Sequence, residues 1–223
     1  MSAPPPISEL PKNKQITNDL IKEYKNILEK HLDGRKIKED KINIWMNNII
    51  VDAKEYFINK YPDYNLFLHI FICSKDFYFY SYSSSLSIPN KDWSDRAIFS
   101  TNDLYSCLYF FFYKECNLNY EIEDHESLIV KKGNEILKKH LQDRKFGEEC
   151  KKYNEYIDQE YSNFILSKEK NLRCFLLNEI YQNIDGNKYF YKYASHGKKI
   201  YSKIIQTYDN DSLTCCFYTF FFK

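Results

Sequence analysis

The pattern of apolar and polar positions predicts two helices followed by four strands, twice along the chain. In the first half, apolar residues recur three and four positions apart in two stretches, as on the buried face of a helix. The first stretch contains Leu20, Ile21, Tyr24, Ile27, Leu28, His31 and Leu32, and the second contains Ile42, Trp45, Ile49, Ala53 and Phe57. The second helix is expected to end before Tyr61-Pro62, because the residue preceding a proline disfavours helical backbone.

Aromatic and β-branched runs follow each helix pair and predict the strands. In the first half they lie near residues 64–73, 77–84, 95–101 and 104–113. In the second half, helices near 127–141 and 150–166 precede strands near 172–181, 188–195, 199–206 and 213–222. Short connections favour antiparallel sheets with the helices on one face, so the predicted fold class is α+β.

Two stretches of the first half recur in the second half at the same spacing. Residues 27–37 (ILEKHLDGRKI) and 136–146 (ILKKHLQDRKF) share seven identical positions. Residues 104–114 and 213–223 match at the same spacing through paired Leu, Cys, Tyr, Phe, Phe and Lys residues. In the middle, 77–84 (FYFYSYSS) resembles 188–195 (KYFYKYAS). The chain is therefore interpreted as a tandem duplication of one ααββββ module.

The last strand of each module is apolar on both alternating sets of positions, so both faces of its sheet need cover. We expect the two modules to supply that cover as an intramolecular pseudo-dimer, joined through their sheets or sheet edges across a pseudo-twofold axis. The predicted bounds are a flexible Pro-rich arm at 1–15, a first module at 16–114, an acidic linker at 115–126 and a second module at 127–223.

Composition argues against several functions. Lys and Arg number 32 against 31 Asp and Glu, a net charge of +1, which lacks the basic excess typical of nucleic-acid binding. There is no apolar run of membrane-spanning length and no apolar core of a secretory signal near the first residues. The seven cysteines lack CxxC spacing, which is typical of reduced, buried thiols. We expect an intracellular protein that binds neither membranes nor nucleic acid.

The sequence contains no recognisable catalytic or cofactor motif. Phosphate-loop, dinucleotide, zinc-protease and serine-hydrolase signatures are all absent, so neither an enzyme nor a cofactor is predicted. His31 and His140 occupy equivalent helix positions and could form a paired metal site, but histidines that favour the negative end of a helix dipole are the preferred interpretation. Cys215 and Cys216 are adjacent in a strand and point to opposite faces, which favours core cysteines over a reactive pair.

The tyrosine-rich second strands are the candidate binding feature. Tyr78, Tyr80 and Tyr82, with their counterparts Tyr189, Tyr191 and Tyr193, could line a groove in which an extended peptide pairs with a sheet edge. The alternative is that these tyrosines fill the interface between the two modules. The sequence favours the second interpretation only slightly.

Residues 40–114 resemble the Tctex-type dynein light chains. The resemblance rests on the order of the elements and on a set of short segments: Ile44-Trp45-Met46, Leu66–Cys73, Ser81–Ser85, Asp92–Asp95, and the final hairpin Arg96–Phe112 with Asn102, Leu104, Tyr105 and Cys107. It adds Ser84, in the serine-containing second strand, and Trp93, in the aromatic and acidic loop, to the partner-binding candidates. The second module lacks both tryptophans and has a much shorter loop at 195–198, so it is expected to serve as a structural mate or to contact a different surface.

The resemblance implies a strand-exchanged dimer that has no enzymatic activity or cofactor. It further implies binding to an extended segment of a dynein intermediate chain or another motor subunit, and a location in the cytoplasm, cytoskeleton or ciliary axoneme. A different hypothesis is a structural scaffold protein of a microtubule or axonemal assembly that uses the same fold for packing alone. An enzyme with a site in the cleft between the modules is the weakest hypothesis.

Overall fold

The structure is a computed structural model that describes residues 12–76, 78–87, 92–114, 126–168, 172–183, 191–197 and 200–222. Within these residues the chain forms four helices and eight strands. The first half contains α1 (Lys12–Leu32), α2 (Glu39–Lys60), β1 (Asn65–Ser74), β2 (Phe79–Ser87), β3 (Trp93–Ser100) and β4 (Leu104–Tyr113). The second half contains α3 (Glu126–Leu141), α4 (Cys150–Lys168), β5 (Arg173–Gln182), β6 (Tyr191–Gly197), β7 (Ile200–Asp209) and β8 (Leu213–Phe222).

The predicted α+β class with antiparallel sheets is confirmed, and two predicted boundaries are corrected. Residues 12–15 were predicted to belong to an extended arm but form the first turn of α1. This turn is needed to bury Ile16, and it is held by a hydrogen bond from the Thr17 hydroxyl to the Asn13 carbonyl (2.9 Å). Glu126, assigned to the linker, begins α3, where an acidic side chain favours the positive end of the helix dipole. Residues 1–11 and 115–125 lie outside the described residues.

Each sheet contains one strand from the other half of the sequence. The first sheet has the strand order β3-β4-β1-β6, and the second has the order β2-β5-β8-β7. Strand β6 pairs with β1 from Phe67↔Gly197 to Cys73↔Tyr191, and β2 pairs with β5 from Phe79↔Tyr181 to Ser87↔Arg173. Both exchanged strands are terminal in their sheets.

The compact units therefore cut across the module bounds predicted from the sequence. The first unit combines α1, α2, β1, β3 and β4 with residues 190–198, which include β6. The second unit combines residues 77–91, which include β2, with α3, α4, β5, β7 and β8. The predicted bounds at 16–114 and 127–223 follow the repeat in the sequence, whereas the compact units follow the strand pairing.

Each unit has a core between its two helices and one face of its sheet. In the first unit, Leu20, Tyr24 and Leu28 of α1 pack with alternate residues of β1 such as Leu68 and Ile70. The opposite alternating set is also buried: Phe67, Phe71, Tyr109, Phe111 and Tyr113 are fully inaccessible to solvent. The expectation that both faces of the sheet are buried is thus confirmed for β1 and β4.

The second unit repeats this arrangement with different side chains. Its core contains Ile136 and Leu137 of α3, Ile157 and Tyr161 of α4, and Phe217 of β8. The opposite face carries a second buried set, which contains Phe175, Tyr218, Phe220 and Phe222. No helix of the described residues is both long and apolar enough to cross a membrane.

The helix ends also repeat between the units. The second residue after the helix has positive φ in both, 65° at Gly34 after α1 and 60° at Asp143 after α3. Glycine adopts this left-handed conformation without a Cβ clash, whereas aspartate is one of the few other residues that tolerate it. The two positions match at the spacing of the sequence repeat, so the same helix stop is retained with a less favourable residue in the second half.

Candidate partner-binding site

The candidate strand β2 is the terminal strand of the sheet in the second unit. Its alternation directs Tyr80, Tyr82, Ser84 and Leu86 to the side of the sheet that α4 covers. Tyr80 and Leu86 pack against the apolar core of this unit, and the Tyr80 ring lies 5.5 Å from the Phe146 ring. Tyr80 is therefore partly buried against the core of this unit.

Tyr78 and Tyr82 are the exposed tyrosines of this segment. Tyr78 precedes the strand and is 60% exposed, while its carbonyl accepts a hydrogen bond from the Gln182 amide (3.1 Å). Tyr82 is 36% exposed. Its pKa is raised by partial burial and by the negative charges of Asp158 and Glu155, which places its hydroxyl near an acidic stretch of α4.

Two polar side chains of α4 hold β2. The Asn154 amide donates to the Tyr80 carbonyl (3.0 Å), and the Ser84 hydroxyl donates to Asp158 Oδ1 (2.8 Å). Asp158 is 6% exposed. Burial raises the pKa of its carboxyl to about 6, although hydrogen bonds from the Ser84 and Ser162 hydroxyls oppose the shift. The hydrogen bond between Ser84 and Asp158 fixes β2 to α4. The Ser84 hydroxyl is bonded to a carboxyl and not to a histidine that could act as its base, so we interpret this contact as structural.

Sequence reasoning missed Asn154 and Asp158. Together with Ser162 they recur every four positions on α4, so they share one side of the helix, and all three are buried. When Asp52 of α2 is aligned with Glu160 of α4, Met46 and Ile50 take the places of Asn154 and Asp158. Polar residues spaced four apart within a buried helical stretch were the signal that could have identified them.

The remaining candidates lie elsewhere. Trp93 is the first residue of β3 in the first unit; it is 37% exposed and lies opposite Phe112 of β4. Tyr191 and Tyr193 belong to β6, where their backbones pair with Cys73 and Phe71. Tyr189 lies outside the described residues. Tyr80, Tyr82 and Ser84 thus lie on β2, and Tyr78 lies directly before it. Trp93, Tyr191 and Tyr193 belong to the first unit.

His31, His140 and Cys215 each contact another side chain within their own unit. Nε2 of His31 lies 2.8 Å from Asp52 Oδ2, and Nε2 of His140 lies 2.8 Å from Glu160 Oε2, so each histidine joins the two helices of its unit. Cys215 is buried and donates to Asn178 Oδ1 (3.0 Å). Among the described residues, no group of three or more His, Cys, Asp or Glu side chains is placed to bind a metal ion.

No protein-family model matches the chain, and no curated protein matches its sequence. The fold itself defines a class: a mixed α+β protein with four described helices and two antiparallel sheets. Its candidate site is the terminal strand β2, which is held by α4 and contains the exposed Tyr82, with the exposed Tyr78 directly before it.

Proposed function

We propose that this protein is a non-catalytic dynein light chain or adaptor, which binds an extended segment of a dynein intermediate chain or another motor subunit. The observation that carries the proposal is the exchange of β2 and β6. Each strand joins the sheet formed by the other half of the sequence and lies at the edge of that sheet. A terminal strand is the place where a peptide can extend a sheet through main-chain hydrogen bonds. The resemblance of residues 40–114 to the Tctex-type light chains supports the same conclusion and supplies the class of partner.

Strand β2 is the stronger of the two candidate docking strands. Tyr78 and Tyr82 present large, amphipathic side chains, which are enriched at protein interfaces because they combine contact area with a polar group. A partner segment beside β2 would contact Tyr82 and pass Glu155 of α4. The contacts of Tyr80 with the core and of Ser84 with Asp158 hold the strand from the side of α4.

The finer architecture forms part of the proposal. We infer two ααββββ modules that form an intramolecular pseudo-dimer, supported by the repeated element order and by the exchanged strands. Tethering two modules in one chain removes the concentration dependence of their pairing. Light scattering combined with size exclusion should then give the mass of one chain, 27.0 kDa. An obligate homodimer would contradict the intramolecular arrangement.

A structural scaffold in a microtubule or axonemal assembly remains the second candidate. It is favoured by the packing of Tyr80 and Leu86 into the core of the second unit, because such side chains serve the fold. A scaffold of this kind would not require exposed tyrosines on a terminal strand. The two candidates can therefore be distinguished by replacing the exposed tyrosines.

The test combines native purification with matched tyrosine variants. The tagged protein is purified and its co-purifying chains are identified; synthetic peptides that tile a recovered dynein intermediate chain are then titrated in a fluorescence anisotropy assay. Tyr78→Ala and Tyr82→Ala should each weaken peptide binding at least tenfold while circular dichroism stays unchanged. The matched control is Tyr156→Ala, since Tyr156 is 51% exposed on α4 and its ring lies 6.1 Å from the His140 ring of α3. Absence of every motor subunit, or equal binding by all variants, would refute the light-chain assignment.

A further inference from the structure

The contact between α4 and β2 contains a buried acid that links two segments 74 residues apart in sequence. Asp158 is almost inaccessible to solvent, and its hydrogen bond with Ser84 joins the helix of one sequence half to the exchanged strand of the other. Asn154 adds a second hydrogen bond, to the Tyr80 carbonyl. Both contacts run between α4 and β2.

Among the described residues, no positively charged group contributes to the pKa shift of Asp158. On α4 itself, Glu155 acts together with Asp158 on Tyr82 of β2, and it bears the same negative sign. Strand β2 contributes Tyr82, and β5 contributes Cys174, whose thiol pKa is raised by burial and by the charge of Asp158. Lys139 and His140 reach α4 from α3, but both bond to Glu160.

We propose that Asp158 is a proton-controlled latch for the exchanged strand: in its neutral form it seats β2 under α4, and on ionisation it loosens that strand. A buried carboxylate without a cation pays a desolvation cost that the neutral acid avoids. Opening β2 away from α4 exposes the carboxylate to water and removes that cost. The latch concerns the seating of β2 alone, so it holds whether or not β2 binds a partner.

The first unit provides an internal comparison. Its exchanged strand β6 packs against α2, whose positions equivalent to Asn154 and Asp158 are the apolar Met46 and Ile50. No acid occupies the α2 position that matches Asp158. Strand β6 should therefore lack the proton dependence that β2 shows, which makes the latch a difference between the two halves.

The size of the effect follows from the ionisation of the acid in its two environments. Burial raises the pKa of Asp158 to about 6 from an ordinary value of 3.8. The neutral acid therefore favours the closed strand fully below pH 4, and this preference is lost as the pH rises toward 6. Between pH 5 and pH 7.5 the ratio of open to closed β2 should increase about tenfold.

Hydrogen exchange of the full chain tests the latch directly. Amide protection of residues 80–86 is measured at pH 5 and pH 7.5 and corrected for the chemical exchange rate at each pH. Protection of β2 should fall about tenfold between these values, while protection of residues 191–197 in β6 should change less than twofold. Equal behaviour of the two strands would overturn the proposal, and this comparison needs no variant.

Two variants of nearly unchanged shape separate the latch from general pH effects. Asp158→Asn keeps an acceptor for the Ser84 hydroxyl and removes the titration, so the pH dependence of β2 protection should disappear. Glu155→Gln removes a charge from the same helix but leaves the buried acid, so the tenfold change should persist. If the pH dependence of β2 protection persisted in Asp158→Asn, or were lost in Glu155→Gln, another group would control the strand.

Discussion

Replacing Gly133 with alanine should destabilise the second unit, although alanine is the better helix former. Gly133 lies in α3 directly beneath the side-chain amide of Gln206 from β7. A Cβ at this position would lie 2.5 Å from Gln206 Cδ and would overlap the amide nitrogen and oxygen more closely still. Gln206 is 3% exposed, and its amide donates to the Val130 carbonyl (2.8 Å) and to Asn134 Oδ1 (3.3 Å).

The expected magnitude is the balance of three contributions. Displacing the Gln206 amide removes two hydrogen bonds, at about 1 kcal/mol each, and inserting a methyl group into a packed site costs about 1–3 kcal/mol. Alanine returns about 1 kcal/mol through its higher helix propensity. We therefore expect the free energy of unfolding to fall by about 2–4 kcal/mol. In a Gln206→Ala background the same change should be neutral or stabilising, because the overlapping amide is absent.

The assay is urea unfolding followed by far-UV circular dichroism, for the wild type, both single variants and the double variant. Fluorescence is less suitable because both tryptophans, Trp45 and Trp93, belong to the first unit. The matched control is Gly147→Ala, since no atom lies within 4 Å of a Cβ built at Gly147. Additive effects of the Gly133 and Gln206 changes, within about 0.5 kcal/mol, would refute the overlap argument.

Three further predictions concern single side chains. Asp158→Asn should raise the free energy of unfolding at pH 7.5 by up to about 3 kcal/mol and should give no gain at pH 4, because the cost of the buried charge is absent at low pH; urea titrations at both pH values check this. Tyr61→Phe should cost about 1 kcal/mol in the same assay, because it removes a hydrogen bond to Asp19 (2.7 Å) that ties α2 to α1; an unchanged stability would count against that contact. Asp143→Gly should stabilise the protein by about 0.5–1 kcal/mol, because its φ of 60° strains a residue with a Cβ; a lower melting temperature would contradict this.

Comparison of equivalent positions shows how the two cores diverged. At the spacing of the sequence repeat, Gly133 matches Tyr24 and Gln206 matches Ala97. The first unit thus pairs a large helix residue with a small strand residue, and the second unit pairs a small helix residue with a large strand residue. All four are buried. The order of size between the helix position and the strand position is thus reversed, so the two cores are packed differently at this site.

Much of the local structure could be read from the sequence because it depends on neighbouring residues. Helical stretches such as Leu20–Leu32 and the aromatic strand 104–113 carry their periodicity within a few turns or residues. Every helix and strand of the structure was predicted within a few positions. The start of α1 was placed too late because the proline-rich opening suggested an extended arm, whereas the burial of Ile16 requires one more helical turn.

The candidate site could be predicted only in part. Tyr78, Tyr80 and Tyr82 were identified by their alternation, but the pattern could not show that Tyr80 is partly buried against the core while Tyr78 is exposed. That difference depends on where α4 and Phe146 lie. Asp158 was missed because its partner, Ser84, is 74 residues away and no local pattern joins them.

The sequence by itself determined the type and order of the elements, their approximate bounds and the repetition of one pattern along the chain. The tertiary structure decided which sheet each second strand joins. Strands β2 and β6 carry similar residues with the same alternation. From the pattern alone, either strand could pair with β1 or with β5 and turn the same set of side chains toward the core. Strand pairing is a long-range choice made by connection length and by contacts such as Ser84 with Asp158, and periodicity contains no information about it.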